Sequence, residues 1–414
     1  MKLDLGPEDY SPALVRKIVR HGGKDSFEEA SADLLEDLGI DIAPKQVQRI
    51  TERIGTEWAR QRDRETAAFR RGHLPRLHAH APEVAAVMPD GGRLQSRASN
   101  AKPGVHDPRW REPKYGCCLT LDSKTSHNDP EPKPPEAFMS PERIARLVGE
   151  MAGRSAVKVA RKPKKPKCAD ARHRRCVHGR PRSRRARCRY LVRTAVATMR
   201  PSDRFGELLA METYRRSLDL ANRKAFVGDG EPYNWTVWAE HFRPRGFVAI
   251  LDFVHLLTYV YSAAQAAGGS PKQRWARYER WLRWAWGGER ASLLSALTRS
   301  SSRAGEPPKN AAESDPRRIL ASACTYVTNN LDKMDYPRYR KLGLPTSSAP
   351  VESQIKQFNR RVKGTEKFWT EEGAEAVLQV RAAYLSADGR SDRNWARPRP
   401  NYRAVGSNRL ALVK

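Results

Sequence analysis

Three carboxylates stand where an apolar run gives way to a turn or where a basic helix begins. Asp90 ends the run EVAAVMPDGG, Asp229 ends AFVGDG, and Glu352 lies in GLPTSSAPVES, residues 343 to 353, ahead of a segment crowded with lysine and arginine. A carboxylate in that last setting is out of place unless a cation needs it. Breaking or rejoining a phosphodiester requires an activated attacking oxygen and a stabilised leaving oxygen around a group that is already negative. Two Mg²⁺ ions about 4 Å apart do both, and carboxylates are the hard oxygen ligands that hold them. Asp90 and Asp229, at the ends of buried strands, would be rigid ligands. Glu352, in the first turn of its helix, completes the set, and Mn²⁺ is expected to substitute. Each acid also has a plain explanation: Asp-Gly suits a tight turn, and an acid near a helix N-terminus is favoured by the helix dipole.

The helix after Glu352 adds a second argument. Val351, Ile355, Phe358 and Val362 form an apolar stripe that should pack on a sheet and so fix the register. Lys356, Asn359 and Lys363 then share the face of Glu352 through the i+4, i+7 and i+11 relation. With Arg360, Arg361 and Lys367 close by, these groups could clamp a DNA backbone near the acid. The competing reading is that they only balance surface charge.

The elements that must position these residues follow from periodicity and turn signals. EVAAVM, YGCCLTLD and YLVRTAVATM read as short apolar strands bounded by turn residues. Pro201 and Ser202 open a helix through about Asn222, with Phe205, Leu208, Leu209 and Leu218 among its apolar positions. A strand KAFVGD, a short helix NWTVWAEHF, a strand FVAILD and a helix from about His255 follow. Three strands, helix, strand, helix and strand is the order of a ribonuclease H-like sheet, so the expected fold is α/β with that core. Ahead of it, Ser26 and Glu29 form a capping box for FEEASADLLEDLG, which Gly39 stops. Pro44 then opens PKQVQRITERIGTEW, which buries Val47, Ile50 and Ile54 and turns Lys45, Gln46, Gln48, Arg49 and Arg53 outward. Helix, turn and a helix bearing basic and amide groups fits a helix-turn-helix reader of DNA, although two-helix hairpins also occur in proteins that never touch DNA.

The domain plan has five parts. A helix-turn-helix domain with an arginine-rich linker, QRDRETAAFRRGHLPRLHAHAP, covers 1–75 and runs to the first strand. The first part of the core covers 76–258, interrupted by a basic arm at 150–189. An all-helical insertion covers 259–330, the rest of the core with the Glu352 helix 331–387, and a polar tail 388–414. In the insertion, Trp275, Tyr278, Leu282 and Ala285 make a buried stripe beside Arg274, Arg277, Arg280 and Arg283. That arginine row is either a solvated face or a phosphate-tracking one. The loop RSSSRAGEPPKNAAESDP closes the insertion.

Composition points the same way. Lys and Arg number 77 against 47 Asp and Glu, a formal net charge of +30 with a pI of about 10.2. Such a chain should hold polyanions, and salt should weaken the hold. No apolar stretch is long enough to span a bilayer, and MKLDLGPEDY lacks the regions of a signal peptide, so no membrane association is expected. The expected location is cytoplasmic and associated with the nucleoid. The six cysteines are too few and too irregular for a disulfide scaffold. Cys168, Cys176, His178 and Cys188 are either four zinc ligands or free thiols with an unrelated histidine, since their spacing matches no paired Cys-x-x-Cys pattern.

Asp90 in PDGGRLQSR, the GDG of Asp229, the DFVH of Asp252 to His255, and SSAPVESQIKQFNRRVKGTEKFW together resemble the DDE transposases of bacterial insertion sequences, in the branch related to the Mutator-like superfamily. That branch carries a C/D-x-x-H signature after the second catalytic acid and an all-helical insertion before the catalytic glutamate. The resemblance covers most of residues 26 to 385 and leaves the basic arm unmatched. It implies a ribonuclease H-like core with Asp90, Asp229 and Glu352 as Mg²⁺ ligands, Asp252 and His255 as an auxiliary pair, and an N-terminal module that binds terminal inverted repeats. It also implies a two-stage reaction. Water hydrolyses a phosphodiester at the transposon end, and the freed 3′-hydroxyl attacks target DNA. No small-molecule substrate or energy cofactor is needed, and nothing in the chain resembles a Walker loop. Because transposition joins two ends, a homo-oligomer on DNA is expected.

Three rivals remain in view. One is a catalytically inactive or domesticated transposase that only binds DNA. Another is a structure-selective nuclease of the same fold. The third is a transcriptional regulator using the N-terminal module alone, which would leave most of the chain without a role.

Overall fold

The computed structural model describes residues 10–98, 109–151, 189–364 and 366–397. The basic arm, with Cys168, Cys176, His178 and Cys188, and the end of the tail lie outside them. The described residues fall into two compact units, one drawn from Met1–Asp122, Tyr190–Ala249 and Ser348–Lys414, the other from Ser123–Arg189 and Ile250–Ser347.

The first unit opens with three helices. In α1 (Pro12–Lys24), which the sequence reading did not anticipate, the Ser11 hydroxyl accepts the Leu14 N–H at the N-cap. α2 (Phe27–Leu38) has the expected capping box between Ser26 and Glu29 and ends at Gly39 with φ 65°. α3 (Pro44–Arg70) buries Val47, Ile50 and Ile54 as expected but runs 27 residues, through the first half of the segment read as a linker. That extension has no apolar stripe to announce it. It is held by polar groups instead: Gln61 donates to Glu65 at 3.0 Å, Thr66 to the Arg62 carbonyl at 2.9 Å, and Arg62 pairs with Glu375.

The sheet follows as β1 (Val84–Gly91), β2 (Leu94–Ser96), β3 (Arg109–Arg111) and β4 (Lys114–Asp122). The chain then leaves for the second unit, where α4 (Pro141–Met151) forms, and returns as β5 (Arg189–Thr198), α5 (Ser202–Arg215), β6 (Arg223–Gly228), α6 (Pro232–Val237) and β7 (Val248–Leu251). α5 is shorter than expected: it stops at Arg215, and Leu218–Leu220 is a separate 3₁₀ turn after Ser217, whose φ is 56°. The order across the five-stranded sheet is β5-β4-β1-β6-β7, with β1 antiparallel to β4 and parallel to β6. The fold is therefore α/β with a mixed sheet. β2 and β3 continue the β1–β4 hairpin beyond Gly91 and Gly92 into a small second sheet.

The two sheet faces are covered separately. Ala85, Val87, Cys118 and Phe226 point into a core with Phe205, Leu208 and Leu209 of α5 and Val237 and Phe242 beyond it. Burial there pushes the Cys117 thiol, on the strand beside that core, up to about 12. Against the opposite face of β1 and β4 lies α12 (Ala349–Val362), which the chain forms after α7 (Phe253–Ala266), α8 (Pro271–Gly287), α9 (Arg290–Ala304), α10 (Pro316–Asn330) and α11 (Tyr336–Lys341) of the second unit. β8 (Phe368–Trp369) then pairs in parallel with β2, and α13 (Glu371–Leu385) and α14 (Arg390–Ala396) end the described chain.

α13 lies along α3 so closely that a Cβ on Gly55 would meet the Ala376 carbonyl oxygen at 2.2 Å. Val380 and Ala383 of α13 share one core with Val15, Ile18, Leu34, Val47 and Ile50 of the three N-terminal helices. Arg361, expected near a DNA clamp, is instead 1% exposed, donates to the Gly22 carbonyl at 2.8 Å and lies over the rings of Phe27 and Trp369. Burial pulls its guanidinium down to about 10.

In the second unit Phe253 packs between Trp286 and Tyr336, each 4.8 Å away between ring centroids. Tyr278, Leu282 and Ala285 are buried as expected, Trp275 half-buried, and Trp281 and Trp286 join them. Of the arginine row, Arg277 donates to the Ala264 and Gly268 carbonyls at the end of α7, and Arg283 pairs with Glu279 at 3.7 Å. RSSSRA, read as loop, is the last turn and more of α9.

Residues 388 to 396, read as tail, are folded. Trp395 meets Trp58 at 5.5 Å, and the Asp388 side chain, 3% exposed, bonds Arg390 at 3.0 Å and Arg393 at 2.8 Å. Burial raises the Asp388 carboxyl, but the two arginines outweigh it and hold the group well below the usual carboxylate range. A folded pKa depressed in this way contributes stability that is complete above the unfolded value of about 3.9 and is lost as pH falls through the folded one. Asp388→Asn should therefore cost about 3 kcal/mol near neutral pH, the scale for breaking a buried pair. The gap to wild type in urea melts should stay constant from pH 7 to about 5 and shrink only in stronger acid; a constant gap down to pH 2 would refute the assignment.

Candidate metal and nucleic-acid site

Asp90 and Asp229 come together through strand register. β1 and β6 pair in parallel with Val84 opposite Arg223 and Val87 opposite Phe226. Asp90 lies three residues beyond Val87 in β1, and Asp229 three beyond Phe226, immediately after β6 ends at Gly228. Alternation sets which way each strand residue faces. Ala85 and Val87 point into the α5 core, so Val84, Ala86, Met88 and Asp90 point the other way, as do Ala225 and Val227 opposite to Phe226; Asp229, just past the strand, and Asp90 both act on the Tyr233 phenol.

That is the face on which α12 packs. Phe358 stacks on Tyr115 with ring centroids 4.8 Å apart, and Tyr115 is the cross-strand partner of Asp90. Val351, Phe358 and Val362 are fully buried and Ile355 nearly so, which fixes the helix register as the sequence reading expected. Glu352 sits in the first turn, six residues before Phe358, or about 9 Å along the helix.

The local backbone holds each acid. Asp90 accepts from the Gly91 N–H at 2.6 Å. One Asp229 oxygen accepts the Glu231 N–H at 3.1 Å and the Asn234 amide at 2.7 Å. α6 can fold back this far because Gly228 has no side chain; a Cβ there would stand 3.1 Å from the Trp235 ring. Asn234 and two tyrosines are site residues that the sequence reading missed. The Tyr233 and Tyr115 hydroxyls are buried with no hydrogen-bond partner among the described residues. Burial raises the Tyr233 phenol far above its ordinary value, and Asp229, Asp90, Glu112 and Glu231 raise it further. Burial and then Asp90 do the same to Tyr115. Both therefore stay protonated, as hydrogen-bond donors. The Lys114 ammonium lies 4.0 Å from the centre of the Tyr233 ring and donates to Glu112 at 2.7 Å. The only advance signal for Asn234 and Tyr233 was their place just after the Asp229 turn.

The donor set suits a hard cation. Carboxylates on neighbouring strand ends repel one another unless a positive charge lies between them, and the two buried phenols beside them stay neutral. In the second unit Asp252 is buried, caps α7 through the Val254 N–H at 2.9 Å, and meets the His255 Nδ1 at 2.8 Å. A carboxylate only accepts, so Nδ1 of His255 donates in this bond.

The expected DNA-binding residues divide. On α3, Lys45 and Arg49 are exposed, whereas Gln46 is half-buried, Gln48 bonds Glu52 at 2.8 Å and Arg53 pairs with Glu57 at 3.0 Å. On α12, Lys356 and Arg360 are exposed and Asn359 is half-buried. Lys363 lies past the last helical residue in extended backbone, so the i+11 relation to Glu352 does not hold. Lys367 turns back to donate to the Arg360 carbonyl at 3.2 Å.

Asn234 is the residue whose loss should loosen Asp229 without touching the acid itself. Asn234→Leu is expected to weaken Mn²⁺ binding, read by calorimetry, by roughly 10- to 100-fold, the usual effect of removing an outer-shell partner. Unchanged Mn²⁺ affinity in a folded variant would show that Asp229 needs no such anchor.

No protein-family model matches the chain, and no curated protein matches it.

Proposed function

We propose that this chain is a DDE-type DNA transposase with a ribonuclease H-like core, in which Asp90, Asp229 and Glu352 hold Mg²⁺. The observation that carries the reading is that Asp90 and Asp229 close two neighbouring parallel strands, with the Glu352 helix packed on the first of them. The strand order supports it further. Taken in chain order, β1, β4, β5, β6 and β7 stand three-two-one-four-five across the sheet, the first antiparallel to the second and parallel to the fourth, as in ribonuclease H-like sheets.

Bound Mg²⁺ would supply Lewis-acid stabilisation of the attacking and leaving oxygens of a phosphodiester. The chain supplies the rest. Asn234 and the Glu231 N–H fix one Asp229 oxygen, and β1 fixes Asp90. Tyr233, buried and kept protonated, lies beside Asp229 and Asp90 without adding charge. The net charge of +30 favours a polyanionic partner, here transposon ends and target DNA. Lys45 and Arg49 at the start of α3 are suited to contact the end sequence in a helix-turn-helix arrangement.

Wild type and Glu352→Gln should be compared for Mg²⁺- or Mn²⁺-dependent nicking and strand transfer on the element's own terminal DNA. The variant is expected to lose cleavage by at least about 100-fold while binding the DNA as before. Equal cleavage by both, or a wild type that binds these ends and cuts under neither metal, would sink the enzymatic reading.

A further inference from the structure

Charge is unevenly spread over the first unit. From Asp25 to Asp41 the chain carries seven acids and no lysine or arginine, inside a protein of formal net charge +30. Most of that stretch is α2. Its inner side, with Ala30 and Leu34, is fully buried in the core shared with α1, α3 and α13. Three of the acids are occupied: Asp25 pairs with Lys24 at 2.9 Å, Glu29 closes the capping box, and Asp33 meets His21 at 3.4 Å. The other four, Glu28, Glu36, Asp37 and Asp41, are exposed and make no ion pair among the described residues.

Acids alone would make an ordinary solvated helix face. This face also carries Leu35 and Leu38, 51% and 39% exposed. Leu35 follows Glu28 by seven residues, two turns along the same side, and Leu38 follows Leu35 by three. The outer face of α2 is therefore apolar and negative together. It repels phosphates, so the partner it fits is a cationic polypeptide, whose lysine and arginine side chains bring aliphatic stems to lie on leucine and charged heads to meet carboxylates.

The chain itself contains such a partner. Residues 152 to 188, outside the described residues, hold fifteen lysines and arginines against one aspartate, in runs such as RKPKKPK and RPRSRRAR. Reach does not limit them. The segment rejoins the first unit at β5, whose Arg193 carbonyl accepts the Ala387 N–H just after α13, and α13 shares its core with α2. Lys167 precedes Arg189 by 22 residues, about 70 Å of extended chain, whereas a compact unit of this size has a radius of gyration of about 18 Å. Tethering raises the local concentration to roughly the millimolar range, which favours the chain's own segment over that of a second copy.

We propose that the outer face of α2 is a docking surface for this chain's own basic segment, residues 152 to 188: Glu28, Glu36, Asp37 and Asp41 pair with its lysines and arginines, and Leu35 and Leu38 receive their aliphatic stems. A polyanion then competes with α2 for the segment, so the acidic helix restrains nonspecific binding by the most basic part of the chain. The inference does not depend on the transposase reading, since any polyanion serves as the competitor.

The test is zero-length carbodiimide cross-linking of the full chain at low salt, read by peptide mass spectrometry on an equal mixture of ¹⁵N-labelled and unlabelled protein. Lys158, Lys162, Lys164, Lys165 and Lys167 should form amides with the four α2 acids within one isotope class. Heparin should abolish these links, and 1 M salt, where the Debye length is about 3 Å, should lower them at least about tenfold. Leu35→Ser with Leu38→Ser leaves every charge in place and should lower them roughly threefold or more. The proposal is overturned if the same lysines link as often to exposed acids elsewhere, such as Glu371 and Glu372, or if the links join the two isotope classes, which would assign the surface to a second copy. A folded serine variant that links as wild type does would reduce the contact to diffuse attraction and overturn it too. Should that variant misfold by circular dichroism, the wild-type links alone decide.

Discussion

The parallel pairing of β1 with β6 is the constraint from which the candidate site follows. Asp90 and Asp229 follow the last paired residues, Val87 and Phe226, by three positions each, and the two-residue period of β1 turns Asp90 away from the α5 core. A slip of one residue in either strand would turn its acid into the α5 core. Burial prevents the slip, because Ala85, Val87 and Phe226 on one side and Val84, Ala86 and Val227 on the other are all excluded from solvent. Pro89 refines the arrangement. Its nitrogen has no proton to donate, and the β1–β6 ladder ends at Val87 and Phe226 while β1–β4 continues to Gly91 and Lys114. The pairing with β6 is thus released two residues before the proline and three before the acids, so no ladder draws the strands together at Asp90 and Asp229.

Local signals in the sequence were sufficient for the elements that carry the acids. Apolar runs ended by Asp-Gly marked β1 and β6, the Ser26–Glu29 pair marked the start of α2, and the stripe from Val351 to Val362 set the facing of α12. What escaped was held by partners distant in sequence. The second half of α3 looks like a linker because its buried face is Arg62 and Thr66, and Arg62 is made tolerable only by Glu375, more than three hundred residues away. Asp388 and Arg390 read as tail for the same reason, since Arg390 finds Glu212 only in the folded chain. Arg361 shows the error in its sharpest form. A basic residue beside basic residues was read as a DNA contact, yet it lies under two rings and closes the end of α1, at the carbonyl of Gly22.

The same distinction limits what net charge means. A surplus of arginine suggests a polyanion partner, but many arginines in the first unit have carboxylate partners, so the count alone does not locate a binding surface. Position within the fold does. Arg62, Arg215 and Arg390 are 11%, 14% and 17% exposed and belong to the packing of α3, α5 and α14. Lys45, Arg49, Arg93 and Arg109 are exposed. Such groups can meet phosphates without first breaking a buried pair, a step that costs about 3 to 5 kcal/mol.

Against that background the acids become more informative. An exposed carboxylate in a basic chain is easily neutralised by a neighbouring lysine, as Glu112 is by Lys114. Asp229 is treated differently: its oxygen is held by an amide side chain and a backbone N–H, neutral donors that orient a carboxylate without cancelling its charge. The neighbouring phenols of Tyr233 and Tyr115 are likewise neutral, and burial keeps them so. Donors of this kind fix the orientation of the acid at the end of the sheet, and an oriented carboxylate oxygen is the hard ligand that a divalent cation takes.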